Sequence, residues 1–233
     1  ASGDPEATRA IIGLNALAFL WSLINGGSLS GAGGDTTLDF GLLGFGRTRV
    51  DGLMTDIGVA EGEWWRLVSS AFLHAGILHI VFNMYLLWML GRQLEQLHGR
   101  SRFVGLYVGS LAAGSLGVML MDPTALTVGA SGAVFGLMAA MFVHQQRRGI
   151  SPWRSGIGGL VLLNVFFTFG RPGISIGGHL GGLLGGAFLA WALDEMDKKQ
   201  VSRQRSTLVV AAFTVLCLVA SVWAANRWYD PVF

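Results

Sequence analysis

Two stretches decide how this chain is read: Thr127–Val143 (TVGASGAVFGLMAAMFV) and Ile176–Leu193 (IGGHLGGLLGGAFLAWAL). Both are apolar and glycine-rich, as a helix in lipid would be. Each carries a polar interruption near its start, Gly129-Ala130-Ser131-Gly132 in the first and Gly178-His179-Leu180-Gly181-Gly182 in the second. Polar side chains inside a bilayer are costly and mark functional positions. A serine and a histidine in such places have a natural reason to be there: they face each other and do chemistry.

The composition supports lipid as the solvent. Of 233 residues, 52% are hydrophobic and 13% charged. A soluble domain carries about 25% charged residues. Seven apolar runs read as spans, against the roughly 20 residues that cross a bilayer, the fifth of them short. They are Ala10–Ile24, Ile77–Leu97, Phe103–Met121, Thr127–Val143, Ile157–Phe169, Ile176–Leu193 and Thr207–Ala225. The segment Ala1 to Arg9 is polar, and the first apolar run reads as a span, not a cleavable signal peptide. The fold class expected is all-α and polytopic. The one cysteine, Cys217, excludes a disulfide framework or thiolate metal site within the chain. Basic residues are scattered through short loops, so no nucleic-acid partner is expected.

Their distribution orients the chain. With the N-terminus inside, eleven basic residues (Arg9, Arg92, Arg100, Arg102, Arg147, Arg148, Arg154, Lys198, Lys199, Arg203, Arg205) fall inside. Five (Arg47, Arg49, Arg66, Arg171, Arg227) fall outside, and the C-terminus ends outside with Trp228 and Tyr229 at the interface. The second, fourth and sixth spans then all run inward. His79 and Asn83, Ser131, and His179 share one depth in the outer leaflet. The long outer loop, residues 26–74, carries Phe40, Leu42, Leu43, Phe45, Leu53 and Met54 and closes on Trp64-Trp65-Arg66. It reads as partly interfacial, because tryptophan favours the headgroup layer.

The chemistry follows from the residue types. A serine hydroxyl needs a base within hydrogen-bond reach, and histidine titrates near neutrality. Ser131 opens a helix, where unpaired N–H groups and the dipole suit a developing oxyanion. Asn83 and His79 can donate to the same charge. No carboxylate is placed to complete a triad: Glu95 lies at the inner end of the second span and nothing aims Asp122 at His179. A Ser131–His179 dyad is therefore expected, with Phe135, one turn after Ser131, stacked on the imidazole. Gly178, Gly182 and Gly186, with Gly181 and Gly185 beside them, allow close helix approach. Gly132 and Gly136 make the fourth span the expected partner. The segment from Gly170-Arg171-Pro172-Gly173 to Gly178 reads as a lid over the site.

These residues are also where the chain resembles a known family. Gly129-Ala130-Ser131-Gly132, His79 with Asn83 four residues on, Gly178-His179 followed by Gly182 and Gly186, and Trp65-Arg66 look like the signatures of rhomboid intramembrane serine proteases. The resemblance runs from about Trp64 to Trp191. It implies that Ser131 is the nucleophile, His179 the general base, and His79, Asn83 and the Ser131 N–H the oxyanion hole. It places His74 near a water-filled mouth and makes Glu95 a structural acid. It implies no cofactor and no metal, and substrates that are transmembrane proteins cut in or beside their spans. Residues 1–195 would form the six-span catalytic core, and 196–233 an inner linker, seventh span and outer tail. A bacterial inner membrane is the expected location.

Other readings stand beside this one. His74 and His79 are five apart, without the spacing of a zinc helix or an evident third ligand. His98 and His144, beside arginines at inner span ends, read as solvated loop residues. Phe166, Phe167 and Phe169 read as lipid-facing or core aromatics, or, by the resemblance, as part of a span that shifts to admit substrate. A transporter would show inverted repeats, and none is evident. An inactive rhomboid-like binder would lack Ser131 or His179, and both are present.

Overall fold

The computed structural model describes residues 4–31, 33–171 and 173–228. The chain is mostly helical. Helix α1 spans Glu6–Ile24 and α2 Asp35–Phe40. Strands β1 (Gly46–Val50) and β2 (Leu53–Ile57) follow, then α3 (Arg66–Ser69), α4 (Ile77–His98) and α5 (Arg100–Met121). Helices α6 (Ser131–Arg147), α7 (Ile157–Gly170), α8 (Ile176–Lys198) and α9 (Arg203–Trp228) complete the order. Each of the seven apolar runs lies largely within one long helix.

Among the described residues, four helices are long and apolar enough to cross a membrane: α1, α5, α8 and α9 through Arg227. The pair Arg66–Phe72 and Ile77–His98, bent by 95°, makes a fifth if it is one span. Helices α6 and α7 have 17 and 14 residues, about 25 and 21 Å at 1.5 Å per residue. The fourth apolar run begins at Thr127, but its helix begins only at Ser131. Gly129 has φ +126°, and Thr127 pairs in an antiparallel bridge with Leu42. That backbone leaves Ser131 as the first helical residue.

The expectation of an all-α chain needs correction in the long loop. Strands β1 and β2 form a two-stranded antiparallel sheet, with Arg47 opposite Asp56 and an ion pair of 2.6 Å between them. Asp51 (φ 50°) and Gly52 (φ 85°) turn the hairpin, the left-handed pair that a two-residue turn matched to strand twist requires. Asp-Gly was the local signal for it. Leu53 and Met54 on β2 are exposed, as are Trp64 and Trp65. Part of the loop is packed. Leu42, Val59 and Leu67 share a buried cluster with Val118 and Met119 of α5 and Ala224 and Ala225 of α9. Arg66, 2% exposed, pairs with Glu63 at 2.7 Å and donates to the carbonyls of Leu38 and Gly41. One guanidinium thus ties the segment from Leu38 to Gly41 to the Glu63 carboxylate.

At the opposite end of the bundle, Glu95 accepts from the Ala7 N–H (2.9 Å), the Thr8 N–H (2.8 Å) and the Thr8 hydroxyl (2.7 Å). A carboxylate on α4 therefore caps the start of α1, where free N–H groups and the dipole favour an anion. His98 and His144 are not solvated, contrary to the sequence expectation. They are 4% and 5% exposed, edge to face at 5.5 Å. Asp194 lies 3.8 Å from His144 Nδ1, and Arg147 pairs with Asp194 and Glu195. Arg102 reaches Asp197 (2.6 Å) and Ser206 (2.9 Å). Packing of α8 and α9 closes over these groups, which sequence position beside arginines did not reveal.

The glycines of α8 form two ridges. Gly182 and Gly186 lie against the backbone of Gly132 and Gly136 on α6, the partner expected. Gly177, Gly181 and Gly185 lie against Gly117 and Ala113 on α5. Helix α8 is thus wedged between two neighbours at backbone distance.

Candidate active site

The site gathers at the start of α6. Ser131 Oγ lies 2.8 Å from His179 Nε2, a good hydrogen bond. Forty-eight residues separate them, and the backbone contact of α6 with α8 brings them together. The Phe135 ring stacks on His179 with centroids 4.0 Å apart and planes inclined by 18°.

His79, on the first turn of α4, faces the same spot. A side chain on Gly129 would meet His79 Cε1 at 2.7 Å and Nε2 at 3.0 Å, and Ser131 Oγ at 3.7 Å. Only glycine fits there, for both its φ and its space. The Ala75 N–H donates to His79 Nδ1 at 3.2 Å. A ring nitrogen that accepts carries no proton, so the neutral His79 bears its proton on Nε2, the atom beside the site. Asn83 is buried, and its amide donates to the His79 carbonyl at 2.9 Å. One of its two N–H groups is thereby engaged by its own helix. His74 is buried edge to face on His79 at 5.2 Å.

A cavity of about 30 Å³ opens beside the dyad, lined by Ser131, His179, Ser70, Ser115, Thr127 and Ser175 among others. Its size suits a water-sized guest, and its hydroxyls suit a polar one. The Gly129 N–H donates to the Ser70 carbonyl (2.9 Å) and the Ser115 hydroxyl to that of Leu67 (2.8 Å), so the floor is tied to the loop ahead of α4. Ser175 caps α8, accepting from the Gly178 N–H at 3.0 Å. Of the segment read as a lid, Pro172 lies outside the described residues.

Sequence reasoning missed one side chain. Thr168 Oγ1 lies 2.7 Å from His179 Nδ1 and 2.8 Å from the Asn164 carbonyl. On α7 the exposed large side chains are Leu162, Leu163, Phe166, Phe167 and Phe169, while Asn164 and Thr168 are buried. Two polar residues four apart in an apolar span mark one inward face. That spacing was the available signal, and the phenylalanines drew attention instead.

Comparison with known proteins identifies the family. The Rhomboid domain model matches residues 61–195. The chain is 33% identical over 195 residues to "Rhomboid protease GluP" of Bacillus subtilis, covering 82% of this chain and 36% of that protein. It is 36% identical over 140 residues to "Putative rhomboid protease YdcA" of the same organism, covering 58% of this chain and 70% of that one. It is also 32% identical over 174 residues to "Inactive rhomboid protein 1" of Bos taurus, covering 72% of this chain and 20% of that one. The chain thus spans about a third of the length of GluP. With a family model over more than half its residues and apolar helices to match, this chain is an integral membrane protein of the rhomboid family.

Proposed function

We propose that the chain is an intramembrane serine endopeptidase working with a Ser131–His179 dyad. The observation that carries this reading is the 2.8 Å bond between Ser131 Oγ and His179 Nε2 at the start of a helix. Ser131 Oγ attacks a peptide carbonyl as His179 takes its proton. The oxyanion is met by the Ser131 N–H, His79 Nε2–H and the second Asn83 N–H. His179 then passes the proton to the leaving amine, and water repeats the sequence on the acyl-enzyme. Phe135 holds the imidazole plane where a triad would use a carboxylate. His74 and the hydroxyl-lined cavity serve the water, and Gly129, Gly132, Gly182 and Gly186 set the spacing.

The substrates are transmembrane proteins whose helix unwinds at the cut, since a helical amide is shielded by its own hydrogen bonds. The chain sits in a bacterial inner membrane with its N-terminus inside and C-terminus outside, as the basic residues orient it. A six-span core over residues 1–195 and a seventh span within 196–233 accommodate the short α6 and α7, with α6 starting below the outer surface, where water reaches Ser131. Relatives named as inactive rhomboids favour one second reading, a binder of membrane proteins that cuts nothing.

A fluorophosphonate probe separates the two. Folded wild-type protein labels at Ser131, Ser131→Ala does not, and His179→Ala labels far more slowly. Absence of labelling on folded wild-type protein refutes the peptidase.

A further inference from the structure

We propose that Thr168 is the third member of this site, a positioning residue that sets the proton of His179 from a neighbouring helix. The proposal deepens the peptidase reading and rests on it for its catalytic meaning. Its geometric basis is separate. Thr168 Oγ1 has two close polar neighbours, the Asn164 carbonyl oxygen at 2.8 Å and His179 Nδ1 at 2.7 Å. A hydroxyl has one proton to donate. A carbonyl can only accept, so at 2.8 Å the hydroxyl proton must lie toward Asn164; two bare oxygens at that distance would repel. The Thr168 oxygen therefore faces Nδ1 with a lone pair, and Nδ1 carries the ring proton.

That assignment decides the rest of the ring. With its proton on Nδ1, neutral His179 presents Nε2 as an unprotonated acceptor 2.8 Å from Ser131 Oγ. This is the only neutral tautomer that can take the serine proton. The opposite tautomer would place N–H against the hydroxyl and leave the base inert. On attack, the Ser131 O–H bond breaks and a His179 Nε2–H bond forms. Nδ1 keeps its proton and Thr168 keeps its own. The positive ring then donates through Nδ1 to the Thr168 oxygen, a charge-assisted bond stronger than the resting one. The acid that the sequence lacks is replaced by a neutral hydroxyl, itself oriented by the α7 backbone. Because Thr168 belongs to α7 and His179 to α8, the base is set only while those helices are seated together.

The test uses the full chain in detergent micelles with ¹⁵N-labelled histidine, comparing wild type, Thr168→Val and Thr168→Ser. Valine matches threonine in shape and removes only the hydroxyl; serine retains it. The ¹⁵N shifts of His179 report which ring nitrogen is protonated. Wild type and Thr168→Ser should show the Nδ1–H form, and Thr168→Val should lose its dominance. The rate of Ser131 labelling at saturating fluorophosphonate should fall roughly 10-fold or more in Thr168→Val, with half-saturation unchanged, and recover in Thr168→Ser. A wild-type His179 protonated on Nε2, or a Thr168→Val protein with wild-type shifts and labelling, overturns the proposal. If wild-type Ser131 does not label, the peptidase reading falls, and the nitrogen shifts still decide what Thr168 does.

Discussion

Replacing Gly182 with alanine sets two well-known effects against each other. Helix propensity alone predicts a gain of about 1 kcal/mol, because alanine is the better helix former. The packing predicts the reverse. A Cβ on Gly182 would press on the carbonyl oxygen of Gly132, and would stand 2.6 Å from its carbonyl carbon and 3.0 Å from its Cα. Carbon atoms rest at about 3.5 Å, and backbone inside a helix cannot swing aside as a side chain can. Helices α6 and α8 must then part by about 1 Å, at a cost of roughly 1–3 kcal/mol. The same displacement would stretch the Ser131–His179 bond from 2.8 Å to about 3.8 Å, outside hydrogen-bonding range. Misplacement of that size costs a reaction about 100-fold. Gly13 on α1 provides the control, since nothing lies within 4 Å of its Cβ position. The measurements are thermal unfolding in detergent and the rate of cleavage of a single-span substrate. Gly13→Ala should be neutral or slightly stabilised and fully active. A Gly182→Ala protein as stable as Gly13→Ala, cleaving within twofold of wild type, would refute the claim that backbone contact builds the site.

Phe135→Ala removes a ring stacked at 4.0 Å on His179; about 3–5 kcal/mol of stability should go with the buried side chain, and kcat should fall further than in Phe135→Tyr, which keeps the stack. Equal kcat in the two variants would show that the ring does not orient the base. Glu95→Gln places an amide NH₂ group against N–H donors at the start of α1, and apparent stability in a detergent melt should drop by about 1.5–3 kcal/mol; an unchanged melt would mean that α1 is held by packing alone. Asn83→Ala should lower kcat roughly 100-fold or more with KM nearly unchanged, and a change confined to KM would remove Asn83 from the oxyanion hole.

Much of this was legible in the chain because lipid makes polarity conspicuous. Ser131, His179, His79 and Asn83 stand out within apolar runs, and helical period with basic-residue counts brings them to one level. The glycine spacing announced close packing, since only residues without a side chain let backbones touch. The Asp51-Gly52 hairpin was equally local, being written in two residues that tolerate left-handed backbone. What the chain could not disclose depends on which helix neighbours which. Gly132 and Gly136 pointed one glycine ridge of α8 to α6, but only assembly assigns the other to α5. His98 and His144 look like surface residues until α8 closes over them. Thr168 is an ordinary threonine of a short helix, and its meaning arises from a 2.7 Å approach to His179 across an interhelical gap. Composition and period determine that these helices lie in lipid and which residues are out of place there. Tertiary packing alone decides distances between side chains on different helices, and a proton transfer depends on those distances to within a fraction of an ångström.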